Sequence, residues 1–312
     1  MSWTDTTLTT WGRSRFARAA TIAPSDEAGL RAAVLDSHAR GVITYGGGRC
    51  YGDAALDDGG QTILTSALNR IESFDADTGE VVCEAGVDFA ALLDRVLPEG
   101  FCFPVSAATA SVTVGGAFAN DIHSKNHHRV GSFGDHTSWI DIMLASGELV
   151  RASRDENADI FHASLGGTGL IGTIMRVGFR LMRVPSRSAD AEFRPLADVD
   201  AMIDTIEASR DTHDFLFGWV DAMATGKDLG RGILELGNLA ASDEGQVPLP
   251  ATKHIRVQPP SFLLHPALLR RFTDRRYRKM PPRGRTARVH LYPYLFPLDS
   301  IVGFNRVYGR RG

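Results

Sequence analysis

Two glycine-bearing polar stretches constrain this chain more than anything else in it: VITYGGGRCYGD at Val42 to Asp53 and TVGGAFANDIHSKNHH at Thr113 to His128. Val42 to Tyr45 reads as a short buried strand that Gly46, Gly47 and Gly48 stop. Without a Cβ, the backbone there can take positive φ and approach another molecule closely. Taken alone, a triple glycine is either a plain tight turn or a loop whose successive N–H groups converge on an anion such as phosphate. Two such loops far apart in sequence suit a ligand with a diphosphate in the middle and a large ring at one end.

The 312 residues are enough for one large domain or two ordinary ones with buried cores. A net charge of −3 argues against bulk nucleic-acid binding. Cys50, Cys83 and Cys102 have neither metal-ligand spacing nor a disulfide framework, which fits a reduced, cytoplasmic compartment. The first twenty residues lack the apolar core of a signal peptide, and no apolar run is long enough to span a membrane.

From Thr21 to Gly100 short strands alternate with helices. Ser25-Asp26-Glu27 before Leu30, Ala33, Val34 and His38 predicts a capped amphipathic helix. Gln61–Thr65, Ile71–Phe74 and Glu80–Cys83 read as strands, the last two joined by the Asp77-Thr78-Gly79 turn. Phe89, Leu92, Leu93, Val96 and Leu97 predict a helix over Val87–Leu97. Further on, Trp139–Ala145 and Glu148–Ala152 flank a Ser-Gly turn as a hairpin, and Asn157–Ser164 is a short helix. The alternation in Thr173–Met182 predicts a half-exposed strand.

The second stretch carries three histidines within six residues. His123 and His127 have helical zinc spacing, but the glutamate of H-E-x-x-H is missing and Lys125 lies between them. A metal site, solvated loop histidines, and a polar pocket in which His, Lys and Asn bind an oxygen-rich ligand all remain open at this point. Gly166-Gly167-Thr168-Gly169 precedes a strand rather than opening a helix, the wrong context for a dinucleotide fingerprint. It reads as a close backbone approach beside the same ligand.

GGGRCYGD (Gly46–Asp53), TVGGAFANDIHSKNHH, GSFGDH (Gly131–His136) and GGTGLIGTIMR (Gly166–Arg176) together resemble the FAD-linked oxidases of the vanillyl-alcohol-oxidase, or PCMH, type. LTTWGR (Leu8–Arg13) and FPLDSIVGFNRVYG (Phe296–Gly309) extend the resemblance over nearly the whole chain, and it is strongest to members acting on a polyprenyl-phosphoryl ribose. The resemblance implies an α+β fold: a two-subdomain PCMH-type FAD-binding domain over residues 1–185, then an incomplete α+β substrate (cap) domain over 186–312. It implies that Thr44, Tyr45, Gly46, Gly47, Gly48, Arg49, Cys50, Tyr51, Gly52, Asp53 and Ala54 wrap the FAD diphosphate. Ala108, Thr113, Val114, Gly115, Gly116, Asn120, Asp121, Ile122 and His123 would line the rest of the cofactor, with Ile174 near the adenine. Covalent members carry a histidine where Arg49 stands, so non-covalent FAD is expected; Cys50 beside it reads as a small buried side chain.

The resemblance further implies hydride transfer from a sugar carbon to the flavin, with the cofactor carrying the chemistry. Tyr51 and His123 are the candidates for orienting or polarising the hydroxyl, and Lys125 for holding substrate oxygens; for Tyr51 a packing role stands beside this. The implied reaction is oxidation of the 2′-hydroxyl of a polyprenyl-phosphoryl ribose, with a short-chain reductase reducing the keto product; a sugar, alditol or lactone oxidase, or a flavin-binding remnant, are the alternatives. No metal is implied.

Past Pro185, Val199, Met202, Ile203 and Ile206 predict an amphipathic helix, Phe215–Val220 and Gly232–Leu236 strands, and Ala240–Pro260 a loop. Nine Lys and Arg crowd Arg270–Arg288, a run that reads as a solvated or disordered face, as a contact with an anionic membrane surface, or least readily as a nucleic-acid patch. Family members continue past the point matching Gly312, and their catalytic lysine and a cofactor-contacting tyrosine have no match here. Unpaired sheet edges are therefore expected.

Overall fold

A computed structural model of the chain describes residues 2–38, 40–258 and 260–307. Tyr308 and Gly309, the end of the last family-like segment, lie outside them. The fold is mixed α+β, and the chain divides into two compact units.

Among the described residues the first unit holds a four-stranded and a five-stranded sheet, with a two-stranded pair of Phe101–Cys102 and Met182–Arg183 beside them. Strands β1 (Thr4–Thr9) and β2 (Phe16–Ile22) form an antiparallel pair. Helix α1 (Glu27–Leu35) then carries the chain to β3 (Val42–Tyr45), and β4 (Gln61–Leu64) inserts parallel between β2 and β3. Asp26 caps α1 by accepting from the Gly29 N–H at 2.7 Å. Leu30, Ala33 and Val34 of α1 meet Ile22, Ile63, Leu68, Met143 and Met175 in one buried cluster. The strand expected to reach Thr65 stops at Leu64, where a 3₁₀ turn over Thr65–Ala67 begins.

The second sheet follows from β5 (Ile71–Phe74) and β6 (Glu80–Glu84). After α2 (Phe89–Val96), a short β7 (Phe101–Cys102) and α3 (Val114–Ala119), the chain makes the excursion containing α4 (His127–Val130). It returns as β8 (Thr137–Met143), β9 (Leu149–Ser153), α5 (Ala158–Ser164), β10 (Thr173–Arg180) and β11 (Met182–Arg183). The order is β5-β6-β10-β8-β9, antiparallel throughout. The half-exposed strand expected at Thr173 is instead the central one, buried on both faces. Its polar side is closed by ion pairs, Arg176 donating to Glu72 at 2.8 Å and to Asp141 at 3.3 Å. Phe89, Phe103, Phe133 and Phe179 pack as neighbouring rings beneath it.

The second unit comprises Val184–Val307 together with Ser124–Gly131. Where the sequence reading draws one boundary, at residue 185, the backbone leaves the first unit twice. Leu216 N–H donates to the Lys125 carbonyl at 2.8 Å, and His128 Nε2 lies 3.0 Å from the His213 carbonyl. Strand β12 (Ser188–Leu196) is followed by α6 (Val199–Ser209), β13 (Phe215–Val220), β14 (Gly232–Leu239) and the two-residue β15 (Lys253–His254). Then come α7 (Pro266–Arg278), β16 (Arg285–His290), α8 (Leu291–Leu295) and β17 (Ile301–Val302). The antiparallel sheet runs β13-β14-β12-β16.

Two expectations change here. The predicted apolar stripe of α6 does not face the core: Met202 is buried over Leu196, Leu234 and Leu236, whereas Val199, Ile203 and Ile206 are exposed. One methionine and Ala201 fill the space above a sheet face already lined by leucines. The basic run is not irregular but divides into helix α7 and edge strand β16.

Candidate functional site

The first glycine loop leaves β3 and turns at Gly48, whose φ of +63° is in the region that favours glycine; a Cβ there would collide with the Tyr45 hydroxyl. A Cβ on Gly46 would fall 2.6 Å from Thr113 Oγ1, and one on Gly47 2.5 Å from the Ser111 carbonyl. The two stretches singled out in the sequence are therefore adjacent. Arg49 strengthens the junction by donating from Nε to the Ser111 carbonyl at 3.4 Å. Among the described residues, no backbone or side-chain acceptor takes the N–H groups of Gly46, Gly47 and Gly48.

The N-terminal segment props the loop from the other side. Tyr45 donates its hydroxyl to the Thr9 carbonyl at 2.6 Å, and Thr10 donates to the Gly52 carbonyl at 2.7 Å. Burial raises the Tyr45 pKa, Arg49 opposing, so this hydroxyl stays a donor. Gly12 sits against the Tyr51 carbonyl too closely for any side chain. Asp53 pairs with Arg15 at 3.1 Å, and Gly52 and Ala54 are exposed beside it. Thr44 exchanges a hydroxyl hydrogen bond of 2.7 Å with Thr173, one residue before the buried Ile174.

The second stretch is a helix start rather than a loop. Thr113 caps α3, accepting from Gly116 N–H at 3.3 Å, and Val114 is fully buried behind it. Gly115 lets the helix lie against Ala85, where a Cβ would come within 2.6 Å. Asn120 folds back to donate to the Gly116 carbonyl at 2.8 Å. Asp121, at φ +40°, accepts from Gly134 N–H at 2.9 Å, and Ile122 accepts from Phe133 N–H at 2.9 Å, which ties the segment to GSFGDH. Ala108 is exposed on the approach to this helix.

Between the two stretches lies a cleft of about 400 Å³ lined by Gly46, Gly47, Arg49, Ser111 and Thr113. Thr65, Ser66, Asn69, Gly86, Val87, Asp88 and Ala91 complete its wall. Sequence reasoning missed all seven, although a T-S-x-x-N segment straight after a strand and a glycine before a helix cap were readable signals. Thr65 Oγ1 is buried with no hydrogen-bond partner. A glycine cradle, spare N–H donors, an arginine and an orphaned hydroxyl are the donor set a diphosphate-bearing ligand requires.

The three candidate catalytic residues separate between the units. Tyr51 is 68% exposed and meets Trp11 edge-on at 4.8 Å between ring centroids, and His123 is also exposed; both belong to the first unit. Lys125 belongs to the second, its side chain only 9% exposed. Its Nζ donates to the Tyr294 carbonyl at 2.6 Å, lies 3.8 Å from Glu235, and sits over the rings of Phe217 (4.4 Å) and Tyr294 (4.2 Å). Burial pushes the Lys125 pKa down against the pull of Glu235. Burial also pushes Glu235 up, with Lys125, Arg276 and Arg285 opposing. Desolvation therefore works against both charges of the pair, while their mutual attraction favours them.

Helix α4 begins only at His127, so His123 and His127 share no helix and their helical spacing is not realised. No cluster of His, Cys, Asp or Glu able to hold a metal occurs among the described residues. Cys50 is a free, half-buried thiol in the loop, and Cys83 and Cys102 are buried with thiols raised to about 12 by desolvation.

A family model described as an FAD binding domain matches residues 18–153, which covers both glycine-bearing stretches as far as β9. The chain is 35% identical to decaprenylphosphoryl-beta-D-ribose oxidase of Mycolicibacterium smegmatis, over all of this chain and 72% of that protein. It is 29% identical to a Neurospora crassa protein described as a D-arabinono-1,4-lactone oxidase, over 47% of this chain and 26% of that one. With cytokinin dehydrogenase 3 of Arabidopsis thaliana it shares 31% identity over 44% of this chain and 27% of that enzyme.

Proposed function

Because this chain belongs to the family of FAD-binding oxidoreductases that includes decaprenylphosphoryl-beta-D-ribose oxidase, we propose that it oxidises the 2′-hydroxyl of a polyprenyl-phosphoryl ribose to the ketone. The observation that carries this is the cleft where Gly46 and Gly47 abut Ser111 and Thr113, with N–H donors to spare. We place the FAD diphosphate there, held by those N–H groups and by Arg49, with Thr65 supplying a hydroxyl. Bound FAD supplies the hydride acceptor.

The chain's own residues bind and orient. Tyr51 and His123 present polar atoms to the sugar hydroxyl, and Lys125 holds substrate oxygens. With Arg49 in place of a tethering histidine, the flavin is held without a covalent bond. The keto sugar is a substrate for a short-chain reductase, which makes such an enzyme the natural partner. The similarity to the lactone oxidase favours a second reading, oxidation of a soluble sugar or lactone in the same site.

The test is an absorbance spectrum of the purified chain before and after acid precipitation, followed by anaerobic titration. The expected result is a yellow protein whose flavin passes to the supernatant on precipitation and bleaches with the polyprenyl-phosphoryl ribose. Bleaching by soluble sugars or lactones alone moves the assignment to the second reading. A colourless protein that takes up no added FAD refutes both.

A further inference from the structure

Helix α7 has a surface composition that the flavin chemistry does not use. Its thirteen residues lie with Leu269, Thr273 and Tyr277 partly buried toward the sheet. On the opposite side Leu268 and Phe272 stand one turn apart, and Phe272 is 63% exposed. Arg271, Arg275 and Lys279 flank them on the same outward side. The 3₁₀ turn before the helix adds Phe262 and Leu263, 64% and 46% exposed.

Charge on this face is not neutralised internally. Asp274 is the only carboxylate between Ser261 and His290, and it is spent on Arg231 at 3.1 Å and Arg278 at 2.9 Å. Arg276 lies over the Trp219 ring at 4.6 Å. Among the described residues, no acidic side chain comes within ion-pair distance of Arg271, Arg275 or Lys279. Solvated cations alone would describe an ordinary surface. Large apolar side chains set in the middle of unpaired cations describe something else.

We propose that α7 and its leading turn dock in the plane of an anionic bilayer, with Leu268, Phe272, Phe262 and Leu263 inserted below headgroups that Arg271, Arg275 and Lys279 hold. A helix of this length covers about 20 Å along the surface. Apolar side chains reach the headgroup–acyl boundary while arginine and lysine stay at the phosphates. A polyanion such as nucleic acid would satisfy the cations but leave the apolar group in water, and an apolar protein partner would leave the cations unanswered. This inference stands apart from the assignment of substrate and flavin.

The test is co-sedimentation of the full flavin-loaded chain with phosphatidylcholine vesicles, with and without phosphatidylglycerol, at low and high salt. Binding is expected only to the anionic vesicles, weakened by salt. Each basic residue near such a surface is worth about fivefold in affinity, so Arg271→Gln with Arg275→Gln should cost about 25-fold. Leu268→Ser with Phe272→Ser should cost roughly tenfold even at low salt. Flavin absorbance and a thermal melt report the fold of each variant, and Lys279→Gln with Arg271→Gln gives a second charge pair should one fail to fold. No vesicle binding by the wild type overturns the proposal. So does binding indifferent to the serine pair, or equal retention on duplex DNA, since either would make this a polyanion site. Because flavin content is read separately, loss of vesicle binding leaves the oxidase assignment intact, and a flavin-free chain that still binds vesicles leaves this one intact.

Discussion

Gly47→Ala is the sharpest perturbation of the proposed flavin cradle. The added methyl would lie 2.5 Å from the Ser111 carbonyl, a separation real Cβ atoms do not adopt. Backbone on one side or the other must retreat by at least about half an ångström. The Ser111 side is braced by its neighbours, whose carbonyls at Ala110 and Val112 accept from the Ala90 and Phe89 N–H groups at 3.0 Å, so the glycine loop is the part that gives. Overpacking of this kind costs about 1–3 kcal/mol. If the displaced N–H groups are those that hold the diphosphate, the cost falls on FAD affinity, a loss of roughly 5- to 150-fold at 1.4 kcal/mol per decade. Quenching of flavin fluorescence on titrating apoprotein gives the dissociation constant directly, and the ratio of visible to ultraviolet absorbance gives occupancy as purified. Gly52→Ala is the matched control, because nothing lies within 4 Å of its added Cβ. If Gly47→Ala binds FAD within twofold of wild type, or if Gly52→Ala is equally impaired, the cradle is misplaced.

Three further outcomes follow from the second unit. Lys125→Met should cut turnover by about 10²–10³-fold, as expected for loss of a preorganised donor, and should also lower the urea midpoint, because it leaves Glu235 largely buried without its cation. Arg231 donates to the buried Asp221 at 2.7 Å, so Arg231→Met should destabilise by about 3–5 kcal/mol in urea unfolding, most of it recovered when Asp221→Leu is added. His290 Nδ1 accepts from the Tyr292 N–H at 3.1 Å and caps α8, and burial depresses its pKa with Arg187 assisting. A group whose folded pKa is depressed in this way contributes stability that is complete above its ordinary value near 6.5 and is lost as pH falls below it. Urea midpoints measured across that range should fall in the wild type and fall less in His290→Asn.

Much of the first unit was legible because its signals are local. The glycine run after Val42–Tyr45, the Asp26 helix cap, the apolar spacing of Phe89, Leu92, Leu93 and Val96 and the Asp77-Thr78-Gly79 turn each act over a few residues, and each element formed within a residue or two of its expected place. The adjacency of Gly47 and Ser111 followed from the resemblance rather than from spacing, since parallel pairing of β3 with β4 is what carries the loop there. What stayed hidden depends on partners distant in sequence. Alternation in Thr173–Arg180 promised a wet face, but Glu72 and Asp141 arrive from other strands to cover Arg176. The helical stripe of Val199, Ile203 and Ile206 was real as a pattern, and its outward orientation was set by how little room Leu234 and Leu236 leave above the sheet. The burial of Lys125 could not be read at all, because Glu235, Phe217 and Tyr294 lie roughly a hundred residues and more downstream.

The short excursion from Ser124 to Gly131 limits how this protein can be cut or recombined. A fragment beginning at Val184 would keep every strand of its sheet yet lose the ammonium group beside Glu235 and the carbonyl that takes the Leu216 N–H. Chimeras that trade one relative's specificity for another's must therefore exchange two separate gene segments together, and a single crossover at the obvious junction should yield an insoluble product.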